Sequence, residues 1–178
     1  MPSSLSTPEM KYYVMHYYRF QRQYPIVATE VGVFGDFIAD VLASDLEKEF
    51  IEVEIKISES DMLSDFQHKS MKHTAYLDSV LHKEASQLTQ NDRKLMPTKF
   101  LYAVPREMRR FATEQVKGTP YGLIIVDPLD ATLGNNSFIK IVKHSDIINR
   151  SYPKALERRA MMRMSSEIIN LYESQLDI

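Results

Sequence analysis

Polar and apolar residues alternate most cleanly over positions 51–57. Ile51, Val53, Ile55 and Ile57 fall on one side of an extended chain, with Glu52, Glu54 and Lys56 on the other. A period of two marks a β-strand. Just upstream, Phe37, Ile38, Val41 and Leu42 are apolar on both sides, which predicts a strand buried on both faces. Between the two runs lies Asp45-Leu46-Glu47-Lys48, a tight charged turn. A hairpin folded symmetrically about Glu47 sets Asp40 directly across from Glu54. Because side chains alternate faces, Asp40, Glu54 and Lys56 are expected to share one face.

The other elements follow from periodicity and punctuation. Thr7-Pro8-Glu9 is a helix-start signal, and Met10, Tyr13, Val14, Tyr17 and Tyr24 recur at helical spacing, so a helix is predicted over 8–23, stopped by Pro25. A short strand follows over 26–31, then a turn marked by Gly32 and Gly35. After the hairpin, SESD at 58–61 opens a helix over about 61–87, with a break near 73–78. A loop is expected over 91–97, a strand over 99–104 (KFLYAV) and a helix over 106–117. GLIIV at 122–126 predicts a buried strand, 127–136 a loop, and FIKIV at 138–142 a further strand. A final helix over about 153–173 carries the stripe Leu156, Ala160, Met164, Ile168 and Tyr172. Hairpins followed by crossover helices imply an α/β fold with a mixed sheet flanked by helices. The 178 residues suit one domain, core about 8–143, with the C-terminal helix appended.

Charge sharpens this picture. The net charge is only -2, but residues 1–92 carry a net of -7 and residues 93–178 a net of +5. Acids gather around the hairpin, and Arg93, Lys94, Lys99, Arg106, Arg109, Arg110, Arg158, Arg159 and Arg163 lie in the other half. An acidic centre beside a basic rim suits a phosphate backbone. There is no cysteine, so disulfides and thiolate metal sites are excluded. No apolar run reaches membrane-spanning length, and the expectation is a cytoplasmic protein without a membrane partner.

Two carboxylates facing each other are unfavourable unless a cation sits between them. Two hard oxygen ligands with room for water suit Mg2+ or Mn2+. An ammonium two positions along the strand, on Lys56, projects toward the same point. That grouping fits metal-dependent cleavage of a phosphodiester.

The spacing Asp40…Glu54-Ile55-Lys56, on adjacent strands followed by a helix, resembles the PD-(D/E)XK nuclease superfamily. Further blocks are Ala39-Asp40-Val41-Leu42-Ala43, Glu54-Ile55-Lys56-Ile57-Ser58, Ser60-Asp61, Asp65-Phe66, Lys72-His73, the Val104-Pro105 strand end and Tyr121-Gly122-Leu123-Ile124. In this order they resemble the MmcB-like group of DNA-repair nucleases. The resemblance implies a restriction-endonuclease-like fold and a Mg2+-dependent (or Mn2+-dependent) deoxyribonuclease whose partner is DNA, with a homodimer plausible for the class. It makes Asp40 the central metal-binding acid, Glu54 the second ligand with the Ile55 carbonyl close by, and Lys56 the group that orients the attacking water. Glu30 matches the acid that such relatives carry before the hairpin, and the resemblance makes it the residue that completes the metal shell. Relatives often carry an arginine just before the Ala-Asp pair, where this chain has Phe37-Ile38. A DNA-binding module that has kept the fold and lost turnover is therefore the alternative.

Lys69, Lys72 and His73 are read either as contacts to the DNA backbone or as a solvated helix face. Glu52 is read as solvent-facing and Asp36 as a turn residue. His16, His68, His82 and His144 show no zinc spacing. Gly32 and Gly35 lack the third glycine of a dinucleotide fingerprint, and Ser58 and Ser60 have no histidine–acid pair nearby. Met161, Met162 and Met164 are read as core or dimer contacts.

Overall fold

Ser6, not Thr7, caps the first helix. Its hydroxyl accepts from the Glu9 N–H, and the Glu9 carboxylate reaches back to Ser6, a complete capping box. The computed structural model describes residues 5–81, 88–129 and 138–176. Helix α1 (Thr7–His16) continues into a π-helical turn, Tyr17–Gln21, which ends short of Pro25. Three strands follow: β1 (Ile26–Gly32), β2 (Ile38–Ser44) and β3 (Phe50–Ile55). Next come α2 (Glu59–His68), α3 (Ser70–Val80) and a single turn, α4 (Gln90–Arg93). β4 (Lys99–Pro105) leads through a 3-10 turn into α5 (Arg109–Val116). β5 (Gly122–Val126), β6 (Ile139–Lys143) and the long α6 (Lys154–Leu176) complete the chain. Residues 82–87, including His82, and most of the expected 127–136 loop lie outside the described residues.

The strands form one sheet in sequence order, β1-β2-β3-β4-β5-β6. β1, β2 and β3 pair antiparallel, β3, β4 and β5 parallel, and β6 antiparallel to β5. This is the expected mixed α/β sheet with helices on its faces and a C-terminal helix. On one face, Met10, Val14 and Tyr18 pack against Val41, Ala43, Ile51, Val53 and Ile55. On the other, Met62, Ala75 and Tyr76 pack against Leu42, Phe50, Phe100 and Tyr102. With both faces covered, every residue of β3 is buried.

Two expectations change. The helical break falls at Lys69, which caps α2 and opens α3, earlier than 73–78. Glu52 is fully buried, not solvent-facing, because α3 covers its side of β3 and supplies it with Lys72 and the Tyr76 hydroxyl. Alternation reports which side a residue points to, and not whether that side is wet.

Candidate active site

The hairpin register is the expected one: Val41 pairs with Val53, Leu42 with Glu52 and Ser44 with Phe50. The regular pairing stops at Val41 and Val53. Beyond it Asp40 turns its carboxylate across the gap, and Oδ2 accepts the Ile55 N–H at 2.8 Å.

The alternation expected to carry Asp40 onto the face of Glu54 is interrupted at that level. Ala28 and Leu42 belong to the core beneath α2 and α3, and so do Val31 and Ala39, three residues away on each strand. An odd step that stays on one face means the side-chain order shifts once in each strand. The shift falls at Glu30 and Asp40. Glu30 has a φ of +52°, a left-handed conformation uncommon for a residue with a Cβ. Asp40 therefore looks along the junction of β2 and β3. Its Oδ1 lies 3.4 Å from Lys11 Nζ on α1, and Lys11 also grips Glu30.

Glu54 and Lys56 do share a face, and Lys56 Nζ donates to Glu54 Oε1 at 3.0 Å. α2 and α3 close over them with more charge than the sequence reading placed there. Lys69 bonds the same Glu54 oxygen, and Lys72 reaches the other at 3.2 Å while pairing with Glu52. Asp65 on α2 is buried beside Lys56 and Lys69, 3.0 Å from each ammonium. It accepts the Tyr102 hydroxyl at 2.7 Å and lies 3.1 Å from His73 Nε2. The far nitrogen of His73 meets the Tyr121 hydroxyl at 2.9 Å, and its ring stacks on Phe66.

This placement corrects the reading of Lys72 and His73 as DNA contacts. Lys72 is fully buried and taken up by Glu52 and Glu54, and His73, nearly buried, is held between Asp65 and the Tyr121 hydroxyl, so both belong to the internal cluster and not to a surface for a polyanion. Lys69 keeps about a quarter of its side chain exposed but is committed to Glu54 and Asp65.

Each ionisable group feels its setting. Burial works to raise the Glu54 carboxyl, but Lys72, Lys56 and Lys69 outweigh it and hold the group below its ordinary value. Burial and then the negative charge of Glu54 push Asp40 up, against the Ile55 N–H, Lys11 and Lys56. Burial opposes the charge on Lys56, while Glu54 and Asp65 more than restore it. Asp65 is driven far down by His73, Lys56 and Lys69 in spite of its burial. A depressed carboxyl stabilises the fold above its unfolded-state pKa, and that contribution is lost as pH falls toward the native value. Acid unfolding of the wild type is therefore expected to be steeper than that of Asp65→Asn. Equal slopes of stability against pH, in urea titrations below about pH 5, would refute this.

Asp40, whose charge is opposed by burial and by Glu54 and offset only in part by the Ile55 N–H, Lys11 and Lys56, is a carboxylate that a further cation would satisfy. Asp40, Glu54 and the Ile55 carbonyl are hard oxygen donors of the kind Mg2+ takes, with water completing its shell. Among the described residues no cluster of three or more acidic or histidine side chains forms a metal site, so Glu30, Asp40 and Glu54 are not a ready-made cage. Glu30 is joined to Asp40 through Lys11 instead.

The parallel strands add a basic rim. Glu54-Ile55-Lys56 closes β3 beside Ala103 of β4. One turn of chain further, Arg106 stands two-thirds exposed while holding Asp127 at 3.0 Å. Arg109 and Arg110 follow, exposed, at the start of α5. Carboxyl ends of parallel strands are where open α/β sheets bind ligands. A separate cavity of about 1020 Å³, lined by Arg93, Met96, Ile148, Tyr152 and neighbours, contains none of these residues. Sequence reasoning missed Lys11, Asp65 and Tyr102. Only Asp65 left a trace, as an acid four residues before Lys69 at helical pairing distance.

No family model matches the chain, and no curated protein does. A solved structure is similar in fold, the SPO1766 protein of unknown function from Silicibacter pomeroyi. The TM-score is 0.60 at 14% identity, covering 92% of this chain and 90% of that one. At that identity the likeness concerns the fold alone. Among the described residues no helix is long and apolar enough to cross a membrane.

Proposed function

We propose that the chain is a metal-dependent DNA endonuclease of the PD-(D/E)XK type, with Asp40, Glu54 and Lys56 as its catalytic residues. The observation that carries this reading is the seat of Asp40. It sits where β2 and β3 part, anchored on the Ile55 N–H, and its ionisation is opposed by burial and then by the charge of Glu54. Asp40 and Glu54 with the Ile55 carbonyl would hold Mg2+ or Mn2+. Such an ion supplies an activated water and charge stabilisation on the phosphate. Lys56, nearly buried and kept protonated by Glu54 and Asp65, would set a fixed positive charge behind the ion and the phosphate it holds. Arg106, Arg109 and Arg110 give the strand ends the positive field that attracts a polyanion.

The alternative, a DNA-binding module without turnover, is favoured by one observation: both Glu54 oxygens are already engaged by lysines. The test offers plasmid and single-stranded DNA to the purified chain with Mg2+, Mn2+ or EDTA, beside Asp40→Asn, and measures binding by gel shift. Divalent-dependent cleavage is expected, abolished in Asp40→Asn with binding retained within about threefold. Binding without cleavage in either protein establishes the module, and absence of both removes DNA as the substrate.

A further inference from the structure

Helix α6 docks on its own domain largely through its polar side. Arg159 donates to the Gly32 carbonyl at 3.1 Å and Arg163 to the Thr29 carbonyl at 3.2 Å, while Glu167 accepts the Thr29 hydroxyl at 2.6 Å. All three contacts lie on β1, the edge strand. Leu156 and Ala160 are buried in the core, and Met164, half-buried, packs against it. The outer face carries Met161, Met162, Ile168, Ile169, Tyr172 and Leu176, each between 53% and 64% exposed. At about 100° per residue these six share an arc of about 120°, opposite the docked face. From Ile168 to Leu176 every residue is exposed, so about 13 Å of helix runs past the domain. A helix segment of that length has little stability of its own in water. A contiguous exposed apolar stripe on it marks an interaction surface.

We infer that α6 pairs antiparallel with α6 of a second copy of this chain. Charge selects the occupant. With Arg159, Arg163 and Glu167 turned to β1, the outward side of the helix carries Lys154 and Arg158 in its first two turns and Glu173, with no cation, in its last two. A parallel pair would set like ends together, while an antiparallel pair sets basic against acidic and opposes the helix dipoles. Spacing agrees. Met162, Ser165, Ile169, Tyr172 and Leu176 recur at three and four residues, the seam of a two-helix pair. Ser165, midway along the helix, lets the two backbones approach. In this register Met162 of one copy faces Tyr172 of the other, Ser165 faces Ile169, and Glu173 comes within a turn of Arg158. The contact is self-complementary about a twofold axis and closes at two copies.

The test combines sedimentation velocity with cross-linking, which the absence of native cysteine makes clean. The wild type is expected to be a dimer at micromolar concentration. Ile169→Asp, on a surface the monomer does not use, should raise the dissociation constant at least tenfold with an unchanged circular dichroism spectrum. Co-expressed Met162→Cys and Tyr172→Cys chains should form a mixed disulfide on mild oxidation, and neither should link to itself. A wild type monomeric at about 100 μM, or a dimer indifferent to Ile169→Asp, overturns the proposal. So does self-linking of either cysteine variant in preference to the mixed pair. A monomer that binds anionic vesicles through α6 overturns it in favour of a lipid surface.

Discussion

Lys72→Met is expected to destabilise the domain by about 3–5 kcal/mol, the range for breaking a buried ion pair from one side. Lys72 is wholly buried and touches two buried acids, Glu52 and Glu54, with its ammonium over the Phe100 ring. Methionine fills the space and removes the charge, leaving Glu52, among the described residues, with the Tyr76 hydroxyl alone. Glu54 keeps Lys56 and Lys69, so most of the loss should fall on Glu52. Adding Glu52→Gln should then restore at least ~1 kcal/mol, since residues in contact do not act additively. For a chain of this size the single change corresponds to a fall in Tm on the order of 10 °C. A Lys72→Met protein unfolding within ~1 kcal/mol of the wild type would show that the cluster does not depend on that ammonium.

On the nuclease reading, Lys56→Met is expected to lower cleavage by about 10²–10³-fold, the usual effect of removing one charge-stabilising donor. The argument is positional. The Lys56 ammonium lies between Glu54 and Asp65, 3.0 Å from each, with Asp61 at 3.7 Å. It is therefore held still, on the strand that also carries Glu54 and the Ile55 carbonyl. Lys69 continues to neutralise both acids in the variant, so folding should survive better than in Lys72→Met. Mn2+ affinity should be little changed, because Lys56 is not a ligand, and it is this split that identifies its role. Cleavage within about threefold of the wild type would remove Lys56 from the chemistry, and parallel loss of metal affinity would make it structural.

Much of this site is legible in the sequence. The turn about Glu47 placed Val41 against Val53 because hairpin register follows from where the charged turn interrupts two β-rich runs. The pairing of Lys56 with Glu54 followed from a spacing of two on one strand. By contrast, the seat of Asp40 depends on the shift at Glu30, where a left-handed residue occupies a place that no glycine or asparagine announces. Glu52 and Lys72 were misjudged for one shared reason. A charged residue two positions along a strand, or on a helix face, reads as solvated until a second element covers it, and α3 covers both.

Local pattern alone set the strands, their order along the chain, the hairpin register and the juxtaposition of Glu54 with Lys56, since each depends on residues a few positions apart. Packing between distant elements settled the rest. It brought Lys11 from the first helix to Asp40, drew Lys69, Lys72 and Asp65 over the Glu54 face, and split the apolar residues of α6, with Leu156 and Ala160 in the core and Ile168, Ile169 and Tyr172 exposed. These are contacts between residues far apart in the chain, created by burial and charge compensation in three dimensions, and no periodicity within a single segment records them.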